Sequence, residues 1–451
     1  MPHHLLDGDH PDLNSAIDLL DDWLVHTMHL NHQPGLALGI VQDGDLLWGK
    51  GYGYADLATE QSVTLDTRFR IASITKTFTA TAIMQLRDGG HLGLDDPVSQ
   101  HLEWFSLHYD SAPKITIRNL LTHTSGLPRD SHKPMWTAYE APSWEDFKEA
   151  TQKRQPTRPP YDKFAYSNLG YSLLGGIIEA VSGQSWADYV QQNILDPLGM
   201  TETRPVPEED DPLLAKGYSR FDEGYQRKQL PFFLMNGFEA SANFASTVND
   251  LVKYAKFHLS KGQTPVLSGH SLRDMHRVHW LYQKWDGGYG LGLSLRRLNE
   301  WVLSSHGGGY PGYLTMFSVC REHGFAVIVL TNALNSNPIQ YVDQAYKLVL
   351  PQVIEATKPA TPEPDPAWQK YVGVYVQEWG VTKVVIREGK LQVFSLDAIE
   401  VAPTILQPTD EAHVFIIEEA GQSNETARFE LDDEGKVVKM WVRNEVTLRR
   451  E

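Results

Sequence analysis

Prolines at positions 359, 362, 364 and 366 crowd into one short stretch, and this run most restricts what the chain can fold into. Each proline fixes φ and removes a backbone N–H, so the segment can be neither helix nor central strand. It reads as a stiff, extended linker over residues 356–367. The 451 residues then separate into a domain over 1–355 and a second over 368–451, as a length well above that of one ordinary domain suggests.

The two sides of the linker differ in texture. Beyond it, residues 371–376, 382–387, 390–396, 413–418, 426–431, 437–442 and 446–449 form short alternating or β-branched runs. Turn signals such as Glu388-Gly389 and Asp433-Glu434-Gly435 divide them, so a small antiparallel β-barrel or sandwich is expected. Before the linker, residues 36–41 and 46–49 flank Asp43-Gly44, a hairpin signal. Residues 301–305, 314–319 and 325–331 read as three more strands, and the chain between these strand groups is mainly helical. The expected class is α+β: an antiparallel sheet built from both ends of the first domain, with a helical insertion between them.

Composition excludes several functions. Forty Lys and Arg against fifty-seven Asp and Glu leave a net charge of −17, which argues against nucleic acid or an anionic membrane as a partner. No apolar stretch approaches a membrane span, and the first residues lack the pattern of a secretory signal, so a cytoplasmic protein is expected. The single cysteine, Cys320, lies in an alternating run and reads as a buried structural thiol. The histidines His3, His4, His29 and His32 lack metal-ligand spacing and read as solvated surface; no metal and no cofactor is expected.

The chemistry starts at Ser73-Ile74-Thr75-Lys76. Residues three apart share one helical face. Ile74, Phe78, Ala82 and Leu86 recur at four-residue steps and Gly89-Gly90 ends the run, so Ser73 is expected at a helix start, where the dipole favours an anion. A lysine made less basic by burial can take the serine proton. The chain holds a second such pair, Ser111 and Lys114, but Pro113 within it disfavours helix and so a shared helical face. Tyr166-Ser167-Asn168 offers a phenol for proton transfer and an amide to orient a carbonyl. His306-Gly307-Gly308-Gly309, read as a loop just past a strand, lets a substrate approach the backbone closely. There is no G-x-S-x-G nucleophile elbow.

With these three elements in this order, the chain resembles the serine β-lactamase and penicillin-binding-protein superfamily, in particular its class C β-lactamase-like group of esterases and peptidases. The phrases at residues 92–98, 120–128, 166–176 and 197–200 match as well, and the resemblance covers about residues 15–350. It implies that Ser73 is acylated, that Lys76 and Tyr166 handle protons, and that Asn168 contacts the substrate amide. His306 takes the position of a lysine in many relatives, and the N–H groups of Ser73 and Gly309 form an oxyanion hole. The tail past residue 367 resembles the lipocalin-like domain appended to some members, including an archaeal peptidase that acts on peptides containing D-residues.

Two departures stand out. His306 replaces a permanent cation with a titratable group, which favours esters or uncharged amides over β-lactams. Ala242-Asn243-Phe244 stands where relatives often read Ala-Gly-Gly, so Phe244 either reshapes the cleft or packs. The expected function is a serine hydrolase for a small-molecule or peptide substrate. The alternatives are a β-lactamase proper and a non-hydrolytic penicillin-binding-like module. The second domain suits a lid, a substrate-selecting wall or the contact of a homo-oligomer.

Overall fold

The computed structural model describes residues 10–107, 112–130, 133–221, 226–358, 365–378, 380–387, 389–397, 403–418, 425–442 and 445–450. Two compact units emerge, Met1–Ala356 and Thr357–Glu451. In chain order the strands of the first are β1 (Gly35–Gln42), β2 (Asp45–Asp56), β3 (Gln61–Ser62), β4 (Phe69–Arg70), β5 (Ala245–Ser246), β6 (Trp280–Leu281), β7 (Gly287–Tyr289), β8 (Ser294–Leu298), β9 (Trp301–Tyr310), β10 (Tyr313–Cys320) and β11 (Phe325–Thr331). Nine of them form an antiparallel sheet ordered β3-β2-β1-β11-β10-β9-β8-β7-β6, while β4 and β5 pair separately. N-terminal strands therefore meet C-terminal ones at β1 and β11, with the helical insertion between them in sequence.

The central strands are buried on both faces, which explains their nearly unbroken apolar runs. From β1 and β11, Leu36, Leu38, Ile40, Val327 and Val329 pack beneath the helices Pro11–Leu30 and Pro338–Thr357. Ala37, Ala326, Ile328 and Leu330 face the helical insertion on the other side. The β1–β2 hairpin turns at Asp43 and Gly44, with φ of 51° and 89°, the left-handed pair that a two-residue turn demands.

β9 differs from the sequence expectation. It does not stop at Ser305 but continues to Tyr310, and His306, Gly307, Gly308 and Gly309 pair with Phe317, Met316, Thr315 and Leu314 of β10. The glycines mimic a loop in sequence, yet one of them is demanded by the packing of a strand. A Cβ on Gly308 would lie 2.2 Å from both the Ile71 carbonyl oxygen and Thr315 Oγ1.

The second unit is a closed antiparallel barrel of eight strands, in which Gly373–Gln377 pairs with both Gly380–Arg387 and the last strand, Glu445–Arg450. Closure removes the exposed edges that an open sheet would leave. Tyr375, Val384, Leu391, Leu406, Phe415 and Phe429 belong to its buried core. Seven of the strands coincide with the runs read from sequence. The remaining one, Thr404–Pro408, escapes that reading because Pro403 and Pro408 bracket it and proline argues against strand. Of the proline run, residues 359–364 lie outside the described residues, and a 3₁₀ turn begins at Pro366.

Candidate active site

A 3₁₀ turn, Ala72–Ile74, connects β4 to the helix Thr75–Asp88 and carries Ser73. Ala72 is fully buried with φ of 49°, a left-handed conformation that a non-glycine residue holds only where its surroundings impose it. Those surroundings are visible. Ile71 N–H donates to the Phe244 carbonyl at 2.9 Å, and its own carbonyl accepts from Ile74 N–H at 3.1 Å and from Thr315 Oγ1 at 3.2 Å. The turn is thus clamped to β9 and β10, and Gly308 is the residue that allows so close an approach.

The following helix is buried nearly all round rather than along one stripe. Its polar positions are satisfied internally: Thr77 and Thr81 donate to carbonyls of Ile74 and Thr77, and Thr79 to that of Ala240 at 2.7 Å. Phe244 is also fully buried, against Phe78 and Trp186 at centroid distances of 5.0 and 5.2 Å, so it packs and does not line the cleft.

Lys76 is fully buried, and its Nζ has three neighbours: Asn168 Oδ1 at 2.7 Å, the Ser241 carbonyl at 2.8 Å and Ser73 Oγ at 3.1 Å. Desolvation pushes its pKa well below the ordinary lysine value; Asp130 opposes this and Arg129 adds to it. A neutral amine has two N–H bonds and one lone pair. Both carbonyl oxygens can only accept, so they take the two N–H groups, and the lone pair is left for the Ser73 hydroxyl.

Tyr166 precedes the helix Asn168–Ser182, whose N-cap is Ser167, with its Oγ accepting from Gly170 N–H at 2.9 Å. The Tyr166 ring lies 4.9 Å from Lys76 Nζ, and its hydroxyl hydrogen-bonds to Ser73. Burial raises the phenol's pKa while the Ser73 contact lowers it, with burial dominant, so the proton stays on the tyrosine. Asn168 bridges two partners: Oδ1 accepts from Lys76, and Nδ2 donates to Asp130 Oδ1 at 2.6 Å. One amide hydrogen remains for a substrate carbonyl. His123 holds this segment. Its Nδ1 accepts from Ser167 N–H at 3.1 Å, its carbonyl from Ala165 N–H at 2.8 Å, and its ring lies 4.2 Å from that of Tyr166.

His306 is buried, with Nδ1 2.8 Å from the Gly307 carbonyl and Nε2 3.2 Å from the Tyr289 hydroxyl. A carbonyl only accepts, so the hydrogen sits on Nδ1 and Nε2 takes the tyrosine's hydrogen bond. Burial first, and Lys76 second, bring its pKa down to about 3. The ring is therefore neutral at pH 7 and does not replace the lysine cation it stands in for.

Ser73, Tyr166, Asn168, His306 and the three glycines all line one cavity of about 830 Å³. Lys76 lies just behind it through Ser73 and Asn168. Sequence reading missed Arg129, Asp130, Trp136, Phe164 and Tyr289, which also face the cavity, and the Ser241 carbonyl on Lys76. Arg129 and Asp130 directly follow the 120–128 phrase, the one local signal that pointed to them. The other serine of an S-x-x-K pair, Ser111, lies outside the described residues, as do His3 and His4. His29 and His32 are exposed, and Cys320 is a buried free thiol. Among the described residues no group of three or more His, Cys, Asp or Glu could hold a metal ion, and no helix is long and apolar enough to cross a membrane.

The Beta-lactamase family matches residues 20–350, and the chain belongs to that family. Protein flp of Staphylococcus aureus (strain NCTC 8325 / PS 47) is 36% identical over 191 residues, 42% of this chain, and the match spans only 38% of flp. Penicillin-binding protein 4* of Bacillus subtilis (strain 168) is 28% identical over 448 residues, covering 90% of this chain and 97% of the relative. The structure of an octameric penicillin-binding protein homologue from Pyrococcus abyssi superposes with a TM-score of 0.68 at 27% identity, over 96% of this chain and all of the other.

Proposed function

We propose that this chain is a serine hydrolase that cleaves an ester or a peptide amide, peptides containing D-residues included, through an acyl-enzyme on Ser73. The observation that carries the reading is the buried Lys76 amine, with acceptors at 2.7 and 2.8 Å and Ser73 Oγ at 3.1 Å.

In this mechanism the Lys76 lone pair takes the Ser73 proton as Oγ attacks the substrate carbonyl. The N–H groups of Ser73 and Gly309 receive the developing oxyanion. Tyr166, protonated at rest, donates its hydrogen to the leaving oxygen or nitrogen and recovers it through Lys76. Water then attacks the ester and the same groups run in reverse. A neutral His306 offers no cation for a β-lactam carboxylate, which supports esters and amides over β-lactams.

A panel of a p-nitrophenyl ester, D- and L-amino-acid anilides and a chromogenic cephalosporin tests this on wild type and Ser73→Ala. Ester or D-anilide turnover that vanishes in Ser73→Ala is expected, with little cephalosporin hydrolysis. Equal activity in the variant refutes the mechanism, and fast cephalosporin turnover favours a true β-lactamase. The octameric Pyrococcus relative supports a homo-oligomer here, which light scattering on the purified chain checks.

A further inference from the structure

We propose that Asp130 makes this site prefer substrates with a free ammonium group beside the scissile carbonyl: amino-acid esters and amides, or the amino-terminal residue of a peptide. The inference rests on the hydrolase reading and adds to it the substrate class and the side chain that selects it.

Asp130 lines the same cavity as Ser73. Its Oδ1 accepts from Asn168 Nδ2 at 2.6 Å, Asn168 Oδ1 accepts from Lys76 at 2.7 Å, and Lys76 reaches Ser73 at 3.1 Å. The carboxylate therefore stands beside the amide expected to orient the substrate. Among the described residues its second oxygen, Oδ2, meets only Arg129 Nε, at 3.4 Å, and the residue lines the cavity with part of its side chain exposed.

The charges facing the cavity are unequal. His306 is neutral, and Lys76 lies behind the lining with its charged form disfavoured by burial, which leaves Arg129 and Asp130 as the charged groups on the cavity wall. The Arg129 side chain is 70% exposed and its charge is screened by water, whereas that of Asp130 is 22% exposed and acts through a drier path. A carboxylate so placed attracts an ammonium group and repels a carboxylate. An N-acylated substrate would bring a carbonyl oxygen towards Asp130 in place of a donor-rich cation.

The backbone that carries the carboxylate is also held in position before any substrate arrives. The Arg129 carbonyl accepts from Asn168 N–H at 2.7 Å and Leu169 N–H at 3.2 Å, and the Asp130 carbonyl accepts from an Arg154 guanidinium N–H at 2.7 Å. Ser167 Oγ donates to the Pro128 carbonyl at 2.7 Å. Trp136, Phe164, Leu314, Met316 and Ile339 supply apolar wall for the side chain of the amino acid.

The test compares phenylalanine methyl ester and p-nitroanilide, of both hands, with their N-acetyl counterparts in the wild-type chain and in Asp130→Asn. A parallel measurement reads how well phenylalaninamide and N-acetylphenylalaninamide protect Ser73 from a fluorophosphonate probe. Wild type is expected to favour the free amine by about tenfold or more in kcat/KM and in protection, as a charge-assisted contact allows. Asp130→Asn should bring both ratios close to unity. If Asp130 only orients Asn168, the variant lowers both substrates alike and the ratio stands, which overturns the proposal. No preference in wild type overturns it as well. Failure of the probe to label Ser73 refutes the hydrolase reading instead.

Discussion

Lys76→Met separates a neutral catalytic amine from a charged one. The side chain has no exposed surface, and burial is the main cause of its lowered pKa. An unfolded lysine titrates near 10.4. A lysine that is neutral when folded but charged when unfolded opposes folding. The unfolded chain then binds one more proton, so stability rises with pH by about 1.4 kcal/mol per unit until the unfolded lysine also deprotonates. From pH 7.5 to 9.5 the wild-type chain should gain up to about 2.7 kcal/mol more than Lys76→Met, the limit for an amine deprotonated throughout that window; the thioether fills similar space without titrating. Groups far from the substitution contribute equally to both chains and cancel in the double difference. Urea titrations followed by tryptophan fluorescence at the two pH values give it directly. Identical pH dependence in the two chains would show that folded Lys76 keeps its proton, and its role as base would fall. The variant should also lose about 10²–10⁴-fold in acylation rate.

Tyr166→Phe keeps the ring against His123 but removes the proton donor, so kcat/KM should fall about 10²–10⁴-fold while circular dichroism is unchanged. In Gly308→Ala the new methyl group would sit 2.2 Å from the Ile71 carbonyl. The displaced turn should slow fluorophosphonate labelling of Ser73 by roughly 10²-fold. His258 is fully buried, 2.9 Å from His276, and burial followed by Arg321 brings its pKa down to about 3. A histidine whose folded pKa is depressed binds its proton more readily when unfolded, so stability is lost as pH falls below about 6.5, by up to about 1.4 kcal/mol per unit. His258→Leu should show a shallower loss between pH 6.5 and 4.5 in urea titrations than wild type.

Much of this was legible along the chain because it is local. The Ser73–Lys76 spacing sets both on one turn, Asp43-Gly44 makes its hairpin, and Ser167 caps the helix that begins at Asn168. Alternation marks seven barrel strands and fails at Thr404–Pro408, where prolines mask the pattern. The His306 run misled because glycines look like a loop, and only the approach of the nucleophile turn explains why a strand must lack side chains there.

What the sequence by itself determined is which chemical groups are present and which near neighbours share a face. The tertiary structure alone decided their state. Lys76 finds its acceptors 92 and 165 residues away, at Asn168 and Ser241, and its lowered basicity comes chiefly from the packed surround rather than from any adjacent residue. His306 is uncharged for the same reason. Periodicity reports that a face is buried; it is silent on what buries it, and desolvation, a sum over everything nearby, sets the charge on which the chemistry depends.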